Sequence, residues 1–236
     1  MKPDGTMGKI YQIADWITKL AYVNVLWLLF SLLGLIVFGV APASVALFTV
    51  IRKWRLKDTD ASIFSTFAAT FRKEYLRANK LGFVIGVAGL VLFVDYKYVA
   101  GLEGVAYFGS MVMLMIVTVI YLITVMYVLP VYVHFELKFF QYFKHAFVIG
   151  VANPLVTASM GAGALVLYFV MIRFQGLIPF FGISLLGYLF MNGSMRSFRL
   201  ILAKQKKLAT QVKEDAQPAG AKEKGDQTKK QLLPSQ

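Results

Sequence analysis

The residues that could carry chemistry are few, and they form no catalytic or metal-binding motif. His134 and Glu136 are two positions apart in a predicted helix, so they point to different sides and make a poor pair of metal ligands. The chain has no cysteine, which removes thiolate ligands and cysteine nucleophiles. The sequence contains no Walker loop, no zinc-protease motif and no nucleophile–base pair. We therefore expect no catalytic residue, no cofactor, no metal and no enzymatic activity.

Three amides interrupt the apolar parts of the chain and are candidates for a polar lining: Asn24, Asn153 and Asn192. Each amide could instead cap or bridge helices, a role that contributes about 1 kcal/mol or less. Asn153 precedes Pro154, and a proline inside a helix frees the carbonyl one turn earlier. If the three amides converge on a water-filled cavity, they indicate a small solute carrier or channel.

The amides lie within five long stretches of the chain that contain no Lys, Arg, Asp, Glu or His. These stretches are residues 20–51, 81–94, 104–133, 146–172 and 174–195. A helix rises about 1.5 Å per residue, so about 20 residues cross the roughly 30 Å hydrocarbon core of a bilayer. The sequence therefore predicts an integral membrane protein of the all-α class, a polytopic transmembrane helix bundle in up-down hairpins.

The first stretch, 20–51, is long enough to cross the membrane once or to bend and cross twice. Pro42 lies near its middle, and proline favours the first turn of a helix while pushing the preceding residue out of helical geometry. We predict a bend and six membrane helices, with five as the alternative. The second helix, from Pro42 to Trp54, would be short. Snorkelling basic residues, a thinned bilayer or a re-entrant position would accommodate it.

The net charge of +13 is concentrated beside the membrane segments. Residues 52–80 and 196–236 carry net charges of +5 and +6. Basic flanks face the cytoplasm, which predicts a cytoplasmic C-terminus and, with six helices, a cytoplasmic N-terminus. Such segments contact anionic lipid headgroups, and their distribution along the chain argues against nucleic acid as a partner.

Residues 62–80 predict an amphipathic cytoplasmic helix with Ser62 as its N-cap. Aromatic side chains occupy one face, and basic side chains occupy the flank and the opposite side. A helix of this type lies among the lipid headgroups, and its apolar face could equally dock a partner protein. The candidate partner or lipid surface comprises Phe64, Phe67, Phe71, Arg72, Lys73, Tyr75 and Arg77.

The composition divides the chain into two regions. Residues 1–203 form the predicted transmembrane helical domain. Residues 204–236 are rich in Lys, Gln, Ala, Gly and Pro and have no apolar period. This composition predicts a disordered, basic, cytoplasmic tail.

Three stretches carry a resemblance to a known family: Ala21-Tyr-Val-Asn24, the segment 39–47 around Pro42, and the aromatic-basic segment 64–75. Over about residues 5–200 the chain resembles the YesL-like family of bacterial integral membrane proteins. The resemblance implies a Gram-positive source and a plasma-membrane location. It transfers no catalytic or binding residue and no role for the tail.

Members of this family tend to be encoded beside sugar ABC importers and polysaccharide-degrading enzymes. The resemblance therefore implies an accessory or scaffold protein of carbohydrate uptake, with sugar ABC transporter subunits as partners. A small solute carrier or channel is the alternative. The two differ in whether the chain itself passes a solute across the bilayer.

Overall fold

The computed structural model describes residues 6–56, 58 and 62–215. In these parts of the chain the backbone forms seven α-helices, one short 3-10 turn and no β-strand, so the predicted all-α class is confirmed. The described residues fall into two units, one up to Ser197 and one from Phe198. The helices are α1 (Thr6–Leu33), α2 (Val40–Arg55), α3 (Ile63–Val99), α4 (Gly104–His134), α5 (Phe139–Ala152), α6 (Pro154–Arg173) and α7 (Ile178–Asp215).

Five helical segments are long and apolar enough to cross a membrane. They lie in α1, α3, α4 and α6 and in the segment Gln175–Val212, which contains most of α7. Large apolar side chains such as Val105, Phe108 and Leu155 are exposed on these helices. Exposed apolar surface on this scale is favourable in lipid and unfavourable in water. These segments therefore mark the chain as a multi-pass membrane protein.

Residues 34–39 turn the chain back between α1 and α2, so the bend predicted within 20–51 is confirmed. The two helices are antiparallel: Trp27 Nε1 donates a hydrogen bond to Ser44 Oγ over 3.0 Å. Further from the turn, the rings of Trp16 and Trp54 meet edge to face at 5.6 Å. The turn is so tight that a side chain on Gly34 would overlap the Gly39 backbone.

The centre of the core is α2, which has only 16 residues. Nine of these residues are buried, and α1, α3 and α4 pack around the helix. On another side, Gly187 of α7 lies close to Leu47 and Ile51. A helix of this length spans about 24 Å, less than the roughly 30 Å of a hydrocarbon core. The sixth predicted membrane helix is therefore a short helix enclosed by protein.

One continuous helix, α3, joins the predicted amphipathic segment to the apolar segment that follows it. No proline interrupts its 37 residues, so the amphipathic segment is not a separate helix. α3 is antiparallel to α2: Lys53 Nζ contacts Thr66 Oγ1 at 3.3 Å, and Asn79 Nδ2 donates to the Phe38 carbonyl at 2.9 Å. The first half of α3 therefore follows the whole length of α2.

The aromatic face of α3 packs largely inside the protein. Phe67 is fully buried, and the ring centroids of Phe67 and Phe71 lie 5.1 and 5.0 Å from that of Phe30 on α1. α1 therefore covers Phe67, whereas Phe71 is half-buried against Phe30. Contact of the candidate surface with lipid or a partner stays a prediction. Phe64 remains 52% exposed, and Tyr75 is half-buried beside Phe71.

Asn153 and Pro154 separate α5 from α6, whereas the sequence predicted one membrane helix over 146–172 with Pro154 inside it. Pro154 is the first residue of α6, where its missing N–H costs no hydrogen bond and its fixed φ suits the helix. Asn153 has φ −130° and ψ 66°, values outside the helical region. The predicted fifth span, 146–172, is thus divided between two helices.

The helix α7 extends further along the sequence than predicted. It continues to Asp215, so the prediction of disorder from residue 204 is wrong for residues 204–215. The residues there are mostly good helix formers such as Ala, Lys, Gln and Leu, and the next proline is Pro218. The rest of the predicted tail, 216–236, lies outside the described residues.

Candidate functional site

A large open cavity of about 1230 Å³ lies where α2 and α4 end and where α3 and α5 begin. We call it the cationic cavity, because five basic side chains and only two carboxylates line it. Its walls also carry the aromatic rings of Tyr132, Tyr142 and Phe139. The charged lining residues are Arg52, Lys73, Arg77, Lys80, Lys138, Glu74 and Glu136.

One face of α3 supplies most of this charge. Lining residues occur from Ala69 to Lys80 at helical spacing, on the side away from the aromatic face that packs on α1. Two of the sequence-predicted surface residues, Lys73 and Arg77, line the cavity. Arg72 is exposed and does not line it. The predicted aromatic-basic surface therefore separates into a packed aromatic face and a basic cavity wall.

A hydrogen bond between Tyr132 and Glu74 joins α4 to α3 inside the cavity. Tyr132 Oη donates to Glu74 Oε2 over 2.7 Å, a length typical of a hydroxyl bonded to a carboxylate. The ring of Tyr132 also packs against that of Tyr142 at 4.8 Å. These contacts hold one of the two acidic groups against the wall.

A second bond joins α2 to α4. Arg52 Nε donates to His134 Nδ1 over 3.3 Å, so this imidazole nitrogen acts as an acceptor and the ring is neutral. Because the partner carries no charge, Arg52 keeps its full positive charge at the cavity wall. Both side chains are half-buried, so this charge is less hydrated than one on an open surface.

The basic side chains that line the cavity form no ion pair with the two carboxylates that also line it. Among the described residues, the ion pair is that of Lys19 with Asp15, and neither residue lines the cavity. Glu74 and Glu136 therefore lie beyond ion-pairing distance of the five cavity cations. The lining keeps an excess of three positive charges, which attracts anionic groups from within about 10 Å at 0.1 M salt.

Asn24 joins α1 to the start of α7. Its Nδ2 donates to the Pro179 carbonyl at 2.7 Å, and its Oδ1 accepts from the backbone N–H groups of Ile183 and Ser184 at 3.0 and 2.9 Å. The side chain is almost fully buried. These bonds use both acceptor sites of the amide oxygen and one of the two N–H donors. Asn24 thus bridges two helices.

The other two candidate lining amides lie in different surroundings. Asn153 is buried at the break between α5 and α6, where its Nδ2 donates to the Ile149 carbonyl at 3.3 Å. Its own carbonyl accepts from the backbone N–H of Thr157 at 3.0 Å. Asn192 lies on α7 and is exposed. Asn24 and Asn153 thus already bond to backbone groups. That the three amides form a common polar lining stays a prediction.

A buried polar cluster around Tyr127 was not predicted from the sequence. Tyr127 Oη lies 2.9 Å from Thr157 Oγ1 and 3.2 Å from Ser197 Oγ, and thereby ties α4 to α6 and α7. A tyrosine within a long apolar stretch gives no signal of its partners, which are 30 and 70 positions away in the chain. The cluster satisfies a hydroxyl that would be costly to bury alone.

No metal centre is found in the part of the chain that the structure describes. Within it, no group of three or more His, Cys, Asp or Glu side chains is placed to hold a metal ion. His134 ends α4 and Glu136 lies in the connection to α5, so the two do not share a helix. The arrangement of the cationic cavity thus favours binding of anionic groups by charge and hydrogen bonds.

The fold and the cavity define a class: a helical multi-pass membrane protein with a basic cavity at one end of several of its helices. The family model described as "Protein of unknown function, DUF624" matches residues 20–96. No solved structure matches the chain significantly. The family match covers all of α2, most of α3 and the second half of α1, which supply much of the packed core described above.

Three proteins of Bacillus subtilis strain 168, each described as uncharacterized, are similar over most of their length. YesL is 38% identical over 192 residues, which cover 81% of this chain and 90% of YesL. YesV is 35% identical over a region that covers 80% of this chain and 91% of YesV. YteU is 34% identical over a region that covers 81% of this chain and 86% of YteU. The chain therefore belongs to the YesL-like family of proteins of unknown function.

Proposed function

We propose that the chain is a non-enzymatic accessory protein of a membrane assembly and that its cationic cavity docks an acidic segment of the partner. The observation that carries the proposal is the excess of three positive charges on the cavity wall. The volume of about 1230 Å³ exceeds the roughly 300–1,000 Å³ typical of small-molecule sites. A peptide segment with several carboxylates suits both the charge and the size.

The proposed partner is a sugar ABC transporter in the plasma membrane. Support comes from the family resemblance, whose members tend to be encoded beside such importers. We place the cationic cavity and both termini on the cytoplasmic side, because basic segments flanking membrane helices face the cytoplasm. Exposed basic residues outside the cavity, such as Arg72, then contact anionic lipid headgroups.

Co-purification from native membranes in mild detergent tests this proposal. The wild-type chain should recover transporter subunits, and the double variant Lys73→Glu, Arg77→Glu should recover about tenfold less, since charge reversal inside a binding site costs more than 1 kcal/mol. Arg72→Glu is the matched control, because it reverses charge on the same helix outside the cavity. This control should retain the partner.

Two results would refute the docking role. The first is a wild-type chain that recovers no transporter subunit although it is intact and monodisperse. The second is equal loss of the partner in Arg72→Glu and in the double variant, which would show that the overall charge of α3 matters and the cavity does not. Normal elution of each variant on size exclusion checks that it is folded.

A small solute carrier or channel is the alternative function. The opening of the cavity between α2, α3, α4 and α5 favours it, because a solute path needs a polar entrance among helices. The bonds of Asn24 to α7 count against a path lined by the three amides. Saturable uptake of a sugar into liposomes that contain only this chain would replace the accessory role with transport.

A further inference from the structure

We propose that the turn between α1 and α2, residues 34–39, inserts among the lipid acyl chains and ends inside the bilayer. The α1–α2 hairpin then enters and leaves by one membrane face without crossing. The proposal concerns the membrane contact of the hairpin and is independent of the function of the cationic cavity. Four observations support it.

The first observation is the composition of the turn. Residues 32–40 read Leu-Leu-Gly-Leu-Ile-Val-Phe-Gly-Val and contain no polar side chain. Leu35 and Val37 are 80% and 77% exposed, so the protein itself does not cover them. Such a continuous exposed apolar tip is unfavourable in water, because apolar surface is stabilised by removal from water. Acyl chains are the surroundings that fit it.

The second observation is the contrast with the other interhelical turns. Glu103 lies in the turn between α3 and α4, and Asp95 and Lys97 lie in the last turns of α3. The turn between α6 and α7 contains Gln175 and follows Arg173. Both turns carry the polar groups expected of segments in water or at the headgroups. The α1–α2 turn differs from them in having none.

The third observation is that six of the seven backbone N–H groups from Gly34 to Val40 donate to carbonyls of the same hairpin. Hydrocarbon offers no hydrogen-bond partner, so irregular backbone is tolerated at membrane depth only where its polar groups are bonded. Asn79 of α3 adds a side-chain bond by donating to the Phe38 carbonyl at 2.9 Å. The turn residues whose N–H groups donate to backbone carbonyls between Phe30 and Ile36 are Gly34, Leu35, Ile36, Val37, Gly39 and Val40.

These bonds require an unusual backbone. Leu35 and Ile36 have φ values of 59° and 60°, in the left-handed region that apolar L-residues rarely adopt. Such a conformation is strained and persists only where its surroundings impose it. A turn in water could leave its N–H groups to solvent and avoid this strain. The strain fits a turn that must satisfy them without water.

The fourth observation is the depth of the turn along α3. Asn79 and Gly82 contact the turn and the start of α2, near the middle of α3. The remaining residues of α3, 83–99, extend about 25 Å further before the turn that contains Glu103. This distance is close to the thickness of a hydrocarbon core. This length takes up most of a core of about 30 Å, so if α3 crosses the bilayer, the α1–α2 turn lies just inside the near face of the core and well short of the opposite face.

Single cysteines test the proposal directly, because the natural chain has none. Val37→Cys reports on the turn, Gly101→Cys on the α3–α4 turn and Asp58→Cys on the α2–α3 connection. A cysteine at position 101 fits, since its Cβ would meet only ordinary contact at 3.5 Å. Each full-length variant is treated with a membrane-impermeant maleimide in intact cells and in inside-out vesicles, and again after detergent.

The expected result is that Asp58→Cys and Gly101→Cys label from opposite faces, while Val37→Cys labels from neither until detergent is added. A spin label at position 37 should collide more with oxygen than with a water-soluble nickel chelate. Leu33→Cys, equally exposed on the same tip, replaces Val37→Cys if the latter does not fold. Its labelling should match that expected for position 37.

Each other outcome overturns the proposal in a different way. Labelling of Val37→Cys from the Gly101 face would show that the hairpin crosses the bilayer. Labelling from the Asp58 face would show that the tip lies in water on the near side. A spin label that collides with neither oxygen nor the nickel chelate would place the tip in a protein interface.

Discussion

At the scale of single residues, buried and half-buried amides serve as connectors between helices. Asn24 bonds to three backbone groups of α7, and Asn79 donates both to Phe38 and to the Tyr75 carbonyl of its own helix at 2.9 Å. In an apolar environment, a side chain that pairs with backbone groups fixes how two helices meet. These two amides therefore act in helix packing, and their bonds give no support to a path for solutes.

We expect Asn24→Leu to destabilise the protein by about 1 kcal/mol, because the contacts with α7 are lost while the side-chain volume is nearly kept. A shift of this size lowers the melting temperature by about 2–4 °C, measurable by thermal unfolding in detergent. Asn192→Leu is the matched control, since Asn192 is exposed and should tolerate the change. Equal melting temperatures for Asn24→Leu and wild type would contradict the bridging role.

At the scale of helices, α2 organises the fold although it is one of the shortest. It lies against α1, α3 and α4, and its buried face includes Leu47 and Ile51, which have no exposed surface. One basic residue of its last turn, Arg52, lines the cationic cavity. The same helix thus supplies both the centre of the core and part of the candidate site.

We expect Leu47→Ala to cost about 2–5 kcal/mol, because it leaves a void at the centre of packed helices. Leu90→Ala removes the same atoms from an exposed position on α3 and should change stability by about 0.5 kcal/mol or less. Chemical or thermal unfolding in detergent compares the two variants. Similar losses for both would mean that α2 is not the packing centre.

The sequence predicted the helices better than their contacts. The apolar stretches and Pro42 predicted the hairpin, since these signals depend on neighbouring residues. Helical periodicity placed Phe67 on an apolar face but could not show that Phe30, from a distant segment, covers it. The bonds of Asn24 to α7 likewise join residues more than 150 positions apart.

At the scale of the whole molecule, the candidate site is assembled from separate segments. Arg52, Lys73 and Lys138 lie on three elements that are brought together only by folding. Sequence patterning predicted the basic character of residues 62–80 but not the cavity, because its walls depend on how α2, α3, α4 and α5 meet. The charge excess is consequently a property of the folded protein.

Salt should weaken the proposed complex. The screening length falls from about 10 Å at 0.1 M to about 3 Å at 1 M, so attraction between the cavity and an acidic segment should decrease strongly. We expect co-purified partner to fall several-fold between about 0.1 and 1 M salt, with the chain itself unaffected. Retention that does not change with salt would point to an apolar interface instead.

Photocrosslinking in native membranes tests most directly whether the cationic cavity docks a partner. A photoreactive amino acid replaces Ala69, which lines the cavity, or Leu76, which is exposed on α3 and does not line it. We predict that position 69 crosslinks to a transporter subunit through a peptide rich in Asp and Glu, and that position 76 does not. No protein crosslink from position 69, or the same crosslink from both positions, would contradict docking in the cavity.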